Sequence, residues 1–322
     1  MSIKILGTGS FLPENVATND FLSTIMDTSD EWISSRTGIK ERRLAKTETT
    51  ASMSAEAAKR ALEDAGVNAE ELDLIIVGTL SGDHITPSTA CEVQAAIGAS
   101  GAVAFDINAA CSGFIFGMNT AYAYMQCKMA KKALVIGAET LSKIMDWNDR
   151  STCVLFGDGA GAAVLGVSEE KGGVLGFEQG SDGARGMVLA CADRKNNNPF
   201  VENSKELDYV HMDGQEVYKF AVTTVPVSIQ NVLEKADLQV DDIKYFLLHQ
   251  ANIRIIQSVS KRLHVPMERF PISLDHCGNI SAASVPILLD EVNKKGMLQK
   301  GDKIVMSGFG GGLTWGTCVV EW

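Results

Sequence analysis

One pattern occurs twice in this chain, and it limits the fold more than any other feature. Ala65-Gly-Val-Asn-Ala-Glu-Glu-Leu-Asp-Leu-Ile-Ile-Val-Gly78 and Ala236-Asp-Leu-Gln-Val-Asp-Asp-Ile-Lys-Tyr-Phe-Leu-Leu-His249 each read as a helix end, an acidic turn and a short apolar strand. Apolar runs of that length bounded by turn residues suit strands buried on both faces. In the first copy an alanine-rich helix over Thr50–Ala65, stopped at Gly66, leads into the strand; a helix around Ser88–Ile97, a strand over Gly101–Ile107 and then Cys111 follow it. In the second copy a helix over Asn252–Leu263, a strand at Phe270–Leu274 and then Cys277-Gly-Asn279 follow. Such self-similarity in 322 residues implies an α/β fold built from two duplicated halves, 1–170 and 171–322. No Pro/Gly/Ser-rich linker separates them, so the turn Glu169-Glu-Lys-Gly-Gly173 is a join within one fold.

The duplication has a chemical consequence. In open α/β sheets, sites form at the carboxyl ends of strands. If the halves pack about a pseudo-twofold axis, Cys111 and Asn279 occupy corresponding loops and His249 leaves the end of a neighbouring strand, so three chemically distinct groups meet. Phe114, Met118, Ala121, Tyr122 and Met125 recur at helical spacing, which puts Cys111 at a helix N-terminus. There the free N–H groups and the macrodipole favour a thiolate nucleophile. Taken singly, each of the three has an ordinary explanation: a small buried hydrophobe, a core histidine, a turn asparagine.

Three further stretches carry chemical information. Ser307-Gly-Phe-Gly-Gly-Gly-Leu-Thr-Trp315 follows a strand at Lys303–Met306, and its glycines allow backbone N–H groups to approach a substrate oxygen. Phe156-Gly-Asp-Gly-Ala-Gly-Ala-Ala-Val-Leu165 leads into a strand without the strand–loop–helix context of a dinucleotide site, so close backbone packing explains it better. In Asp27-Thr-Ser-Asp-Glu-Trp-Ile-Ser-Ser-Arg36, Ser29 or Asp30 caps a short helix carrying Trp32 and Arg36. That pair can stack a ring and hold a phosphate, although composition alone favours a half-buried tryptophan beside a solvated arginine.

Composition narrows the function classes. With 29 basic against 40 acidic residues the net charge is −11, which argues against a general nucleic-acid or anionic-membrane binder while leaving room for a local basic patch. No run is long and apolar enough to span a bilayer, and Met1-Ser-Ile-Lys-Ile-Leu-Gly7 opens as a strand. Seven scattered cysteines without a Cys-x-x-Cys pair suit a reducing cytoplasm. The histidines, at positions 84, 211, 249, 264 and 276, show no metal-ligand spacing, and no metal is expected.

Six motifs, in order, resemble those of the thiolase-fold condensing enzymes, and within them the β-ketoacyl-acyl carrier protein synthase III family. They are Asp27-Thr-Ser-Asp-Glu-Trp-Ile with Arg36-Thr-Gly-Ile-Lys-Glu-Arg; Ala110-Cys111-Ser-Gly-Phe; Asp149-Arg-Ser-Thr with Phe156-Gly-Asp-Gly-Ala-Gly-Ala; His249-Gln-Ala-Asn-Ile-Arg254; Gly278-Asn279-Ile-Ser-Ala-Ala-Ser; and Gly308-Phe-Gly-Gly-Gly. The resemblance covers the whole chain and implies a five-layer α/β/α/β/α fold, a cytoplasmic homodimer and no cofactor. It implies a triad of Cys111, His249 and Asn279, with Cys111 taking an acyl group from an acyl-CoA primer and His249 and Asn279 supporting decarboxylation of malonyl-acyl carrier protein. The N–H groups of Cys111 and Gly311 would hold the oxyanion. For CoA it points to Trp32, Arg36, Arg150, Gly214, Ala251 and Asn252. The acidic carrier protein would meet a patch of Lys219, Arg254, Lys261 and Arg262. Thr86, where many relatives carry phenylalanine, would reach across the dimer into the partner's primer pocket.

Other readings remain in view. A thiolase needs a second cysteine just before the C-terminal glycine run, where Gly308-Phe309 stands instead. A polyketide-type condensing enzyme of secondary metabolism differs mainly in its pocket lining. A non-catalytic carrier-protein-binding partner of the same fold would have no reason to keep all three of Cys111, His249 and Asn279.

Overall fold

The computed structural model describes residues 2–192, 199–201 and 208–322. The first half runs β1 (Ser2–Phe11), β2 (Val16–Thr18), α1 (Asn19–Ser23), α2 (Asp30–Thr37), β3 (Glu41–Arg43), α3 (Thr50–Ala65), β4 (Leu74–Gly78), α4 (Thr89–Ile97), β5 (Val103–Ile107), α5 (Gly113–Gln126), β6 (Lys132–Thr140) and β7 (Asp158–Ser168). The second runs β8 (Gly173–Ser181), β9 (Leu189–Ala190), β10 (His211–Met212), α6 (Gly214–Lys235), β11 (Ile243–Leu248), α7 (Ile253–Leu263), α8 (Leu274–Cys277), α9 (Ser284–Lys294), β12 (Lys303–Gly310) and β13 (Thr314–Glu321).

The main sheets repeat one topology. The first has strand order β1-β7-β6-β4-β5 and the second β11-β12-β13-β8. Reversed, the first reads β5-β4-β6-β7-β1, so β11, β12, β13 and β8 match β4, β6, β7 and β1. In each, one parallel pair (β4 with β6, β11 with β12) is followed by two antiparallel pairings. The expected strand at Phe270–Leu274, the counterpart of β5, does not form. Pro271 has no N–H to give a ladder, and the N–H groups of Ser273 and Leu274 donate to Gln250 Oε1 at 3.0 and 3.1 Å.

Helices fill three layers. α5 carries no charged residue, and with α9 it lies between the sheets in one apolar cluster that includes Ile76, Val135, Phe114, Met118, Leu288, Leu247 and Met306. A helix apolar all round is a central helix. α3 and α4 cover the outer face of the first sheet; α6 and α7 cover that of the second. The alanines of α3 and the glycines of β1 answer one another, since a Cβ on Gly9 would lie 2.3 Å from Ala61 N. α3 begins in a capping box between Thr49 and Ser52 and ends at left-handed Gly66. The glycine-rich start of β7 is likewise a packing device: a Cβ on Gly161 would lie 2.6 Å from Ile287 N of α9.

The repeat extends to the loops before the central helices. A 3₁₀ turn, Ala110–Ser112, leads into α5, and another, Ser281–Ala283, leads into α9. Both open on a non-glycine residue at positive φ, 44° for Ala110 and 43° for Ser281. In this register Cys111 matches Ala282 and Asn279 matches Asn108, so the two loops correspond while the chemical groups sit at different positions in them.

Candidate active site

The carboxyl ends of the inner strands open into a cavity of about 210 Å³. Cys111, His249, Asn279, Ser281, Gly310 and Gly311 line it together with apolar side chains that include Leu80, Leu141, Phe156, Leu189 and Phe309. Towards the exposed end it is lined by Gly214, Tyr218, Ala251 and Asn252. Cys111, His249 and Asn279 are all buried, and no disulfide joins the cysteines of the described residues.

Each group is fixed by the local chain. His249 follows β11, its N–H donating to Ser307 O of β12 at 2.7 Å. Gln250 then ties this strand end to the segment that leads to Asn279. The Asn279 backbone is clamped on both sides of a bridge, Asn279 N donating to Leu155 O and Gly157 N to Asn279 O, both at 2.9 Å. Its side-chain oxygen accepts from Ser281 N at 2.9 Å. An N–H donor must meet the amide oxygen, which leaves the Asn279 NH₂ as the donor end. Gly310 stands against the cysteine so closely that a Cβ there would lie 2.9 Å from Cys111 Sγ and 3.0 Å from its N.

Burial sets the charge states. The Cys111 thiol is pushed up to about 12 by burial, eased by the Ser281 hydroxyl and raised further by the Glu139 charge. Burial thus opposes the thiolate that the helix end would favour, and Cys111 sits in the 3₁₀ turn ahead of α5 rather than in the helix. Burial pulls His249 down to about 3, so its imidazole is neutral, and its Nδ1 has no hydrogen-bond partner.

At the surface, the guanidinium groups of Arg36 and Arg150 both lie over the Trp32 ring, 4.8 and 5.2 Å from its centroid. Ser29 is the cap of α2, its Oγ accepting from Trp32 N. α2 docks beside the cavity mouth through Asn252 Nδ2 donating to Arg36 O at 3.1 Å and Arg254 donating to Ser35 O at 2.8 Å. Of the basic residues singled out from the sequence, Lys261 and Arg262 are exposed on the last turn of α7, while Lys219 is paired with Glu216 at 2.7 Å. Thr86 lies in an exposed loop and does not line this chain's own cavity. His276, Cys277 and Glu291 form a grouping of metal-ligand type among the described residues. There His276 is held between Asp275 at 2.9 Å and Glu291 at 2.8 Å, and its basicity is pushed up to about 11 by Cys277 and Glu291. An ion-paired imidazolium accounts for the group.

Two residues of the site escaped the sequence reading. Glu139 is the penultimate residue of the buried strand β6, and Ser281 follows Asn279 in the cavity wall. An acidic residue following the apolar run Ala133–Ala138 was the available signal for the first.

Residues 105–183 match the family model of 3-oxoacyl-[acyl-carrier-protein] synthase III, and residues 233–322 match the model of its C-terminal region. A curated relative from Clostridium botulinum (strain 657 / Type Ba4), a beta-ketoacyl-[acyl-carrier-protein] synthase III, is 52% identical over 323 residues, covering 100% of this chain and 99% of the relative. The chain belongs to the β-ketoacyl-acyl carrier protein synthase III family. It is a thiolase-fold condensing enzyme, an acyltransferase. Among solved structures, the 3-oxoacyl-[acyl-carrier-protein] synthase III of Aquifex aeolicus VF5 superposes with a TM-score of 0.93 at 46% identity, covering 100% of both chains. The priming β-ketosynthase of the R1128 polyketide pathway is similar at a TM-score of 0.93 and 35% identity, over 99% of this chain and 96% of that one.

Proposed function

We propose that this enzyme condenses an acyl-CoA primer with malonyl-acyl carrier protein, with loss of CO₂, to give 3-oxoacyl-acyl carrier protein and begin type II fatty acid synthesis. The observation that carries this reading is the meeting of Cys111, His249, Asn279 and the Gly310-Gly311 backbone in one apolar cavity with an open end. Cys111 Sγ attacks the primer carbonyl; a C–S bond forms, the bond to the CoA sulfur breaks, and a thioester remains on Cys111. The N–H groups of Cys111 and Gly311 hold the oxyanion formed on the way. In the second half-reaction the malonyl carboxylate leaves as CO₂, and the enolate is stabilised by a His249 N–H and the Asn279 NH₂. The carbanion attacks the acyl thioester and expels the Cys111 thiolate. Neutral His249 suits this role, because it donates a hydrogen bond without being a strong acid. The reaction draws on no cofactor.

Trp32, Arg36 and Arg150 hold the nucleotide end of CoA, and Gly214, Ala251 and Asn252 follow its pantetheine arm into the cavity. Arg36→Ala or Arg150→Ala is expected to raise the KM for acetyl-CoA about tenfold with kcat nearly unchanged, since such remote contacts bind ground and transition states alike. Short thioesters lacking the nucleotide should react at the wild-type rate in both variants. Equal losses with both substrates would remove this assignment.

The acidic carrier protein docks beside the mouth on Arg254, Lys261, Arg262 and Lys219, in the cytoplasm. The working form is a homodimer. Its support is the edge strand β5, with Val103 55% exposed, and the apolar Ile85 of the Thr86 loop, 72% exposed in the single chain. Thr86 then lines the partner subunit's primer pocket, and its small size leaves room for primers longer than acetyl. Thr86→Phe should cut kcat/KM for four- to six-carbon acyl-CoA by about tenfold relative to acetyl-CoA, the scale of overpacking a filled pocket. An unchanged primer profile in that variant would place Thr86 outside the pocket.

A further inference from the structure

Glu139, at the end of β6, is fully buried. Its Oε2 accepts three hydrogen bonds, from Ser81 Oγ, from Thr79 Oγ1 at 3.2 Å and from Leu80 N at 3.2 Å. Its Oε1 is buried with no hydrogen-bond partner, and so is Ser281 Oγ. Leaving two polar atoms unsatisfied in an apolar interior is costly. Ser281 shares the cavity wall with Cys111 and is held at a strained positive φ. The turn that carries Ser281 abuts β6, where a Cβ on Gly137 would lie 2.1 Å from Ala282 O, and Glu139, two residues on, lies on the same face of that strand; the Ser281 hydroxyl also lowers the proton affinity of both the Cys111 thiol and the Glu139 carboxyl. The condensation described above uses Cys111, His249 and Asn279 and leaves this second buried pair idle.

We propose that Glu139, acting through Ser281 Oγ, takes the proton of the Cys111 thiol as the acyl-CoA is attacked. The proposal rests on the condensing reaction above. As the bond from Cys111 Sγ to the primer carbonyl forms, the S–H proton moves to Ser281 Oγ and the Ser281 proton moves to Glu139 Oε1. When the tetrahedral intermediate collapses and the C–S bond to CoA breaks, the reverse shift delivers one proton to the departing CoA sulfur. Acyl-CoA and Cys111 thiol become acyl-Cys111 and CoA thiol, with Ser281 and Glu139 unchanged. Glu139 touches no reacting atom and is a positioning residue for the proton.

The alternatives within the cavity are weaker. His249, pulled down to about 3, is a poor acceptor, whereas burial pushes Glu139 up to about 7 and makes its carboxylate a competent one. The charged side chains named on the elements packed near Glu139 are bound elsewhere or exposed. β4 and α5 bring no charged side chain. Asp158 of β7 is bound by Ser142 and Ala45 N, and Asp83 beyond β4 by Thr50 N, Ala51 N and Lys143. On α3, Glu56, Lys59, Arg60, Glu63 and Asp64 are exposed or partly exposed. On α9, Asp290 is held by Thr8 and Ser10, Glu291 by His276 and Lys295, and Lys294 by Asp64.

The test is the single-turnover release of CoA from acetyl-CoA, followed from pH 5.5 to 8.5 in the 322-residue chain. Because the acceptor must be ionised, the wild-type acylation rate should rise with pH through about 7. Glu139→Gln and Ser281→Ala should each acylate about 10²-fold more slowly, and Glu139→Gln should lose the inflection, which Glu139→Asp restores. In both slow variants the ratio of acylation to malonyl-acyl carrier protein decarboxylation should fall at least about tenfold, which damage to the fold would not produce. Ser281→Ala keeps the Ser281 N–H on Asn279 and carries the test if Glu139→Gln does not fold. Wild-type rates and pH profile in both variants, or an equal fall in the two activities, would overturn the relay. A wild type that releases no CoA would instead overturn the condensing function itself.

Discussion

Cys111→Ala is expected to reduce condensation of acetyl-CoA with malonyl-acyl carrier protein by about 10⁴-fold or more, the scale of losing the nucleophile of a cooperating set. Decarboxylation of malonyl-acyl carrier protein should persist at a measurable rate in the same variant. The physical reason is that the two half-reactions draw on different atoms of the cavity. Carbon–sulfur bond formation needs Sγ, while the enolate needs only the donors of His249 and Asn279, which are anchored by other segments of the chain. The His249 N–H on Ser307 O and the Asn279 clamp against Leu155 and Gly157 do not pass through the cysteine side chain. Assays that follow CO₂ release and 3-oxoacyl product separately decide it; simultaneous loss of both would show that Cys111 also holds the donors in place.

His249→Ala and Asn279→Ala are expected to give the opposite pattern. Each should slow decarboxylation by about 10²–10³-fold, the usual effect of removing one donor from a developing oxyanion, while acylation of Cys111 by acetyl-CoA continues. pH provides a second handle on His249. Its folded-state value of about 3 lies below the ordinary 6.5, so the native protein binds no proton there while the unfolded chain does. Its contribution to stability is therefore complete above about pH 6.5 and is lost as pH falls towards 3, with a slope of at most about 1.4 kcal/mol per pH unit. His249→Gln should flatten that part of the stability profile. Decarboxylation at the wild-type rate in Asn279→Ala would remove the role given to these donors.

Much of this architecture is legible in the amino-acid sequence because it is carried by local signals. The twofold pattern of helix end, acidic turn and apolar strand becomes β4 and β11, and α3 runs from Thr50 to Ala65 and stops at Gly66, where the residue types require it. The expected strand at Phe270–Leu274 failed for a tertiary reason. Gln250, distant in sequence from that segment's own neighbours, captures two N–H groups that a ladder would need. The burial that opposes a Cys111 thiolate was not legible, because periodicity places a residue at a helix end but says nothing of how dry its surroundings are. Ser281 left no clear trace, and Glu139 only an acidic side chain near the end of a largely apolar strand, since their meaning lies in the atoms they fail to bond. The nearness of Arg36 and Arg150 to one half-buried tryptophan joins segments far apart in the chain; local spacing supplied only Arg36 with Trp32, and the family resemblance supplied Arg150.

The central claim is that Cys111 carries the acyl group. Mixing the 322-residue chain with acetyl-CoA, in the absence of malonyl-acyl carrier protein, and mapping the product by peptide mass spectrometry tests it most directly. One acetyl group per chain on the peptide containing Cys111, discharged when malonyl-acyl carrier protein is added and missing from Cys111→Ala, is the predicted result. An unmodified Cys111, or an acetyl group on a different cysteine that malonyl-acyl carrier protein discharges, would contradict it.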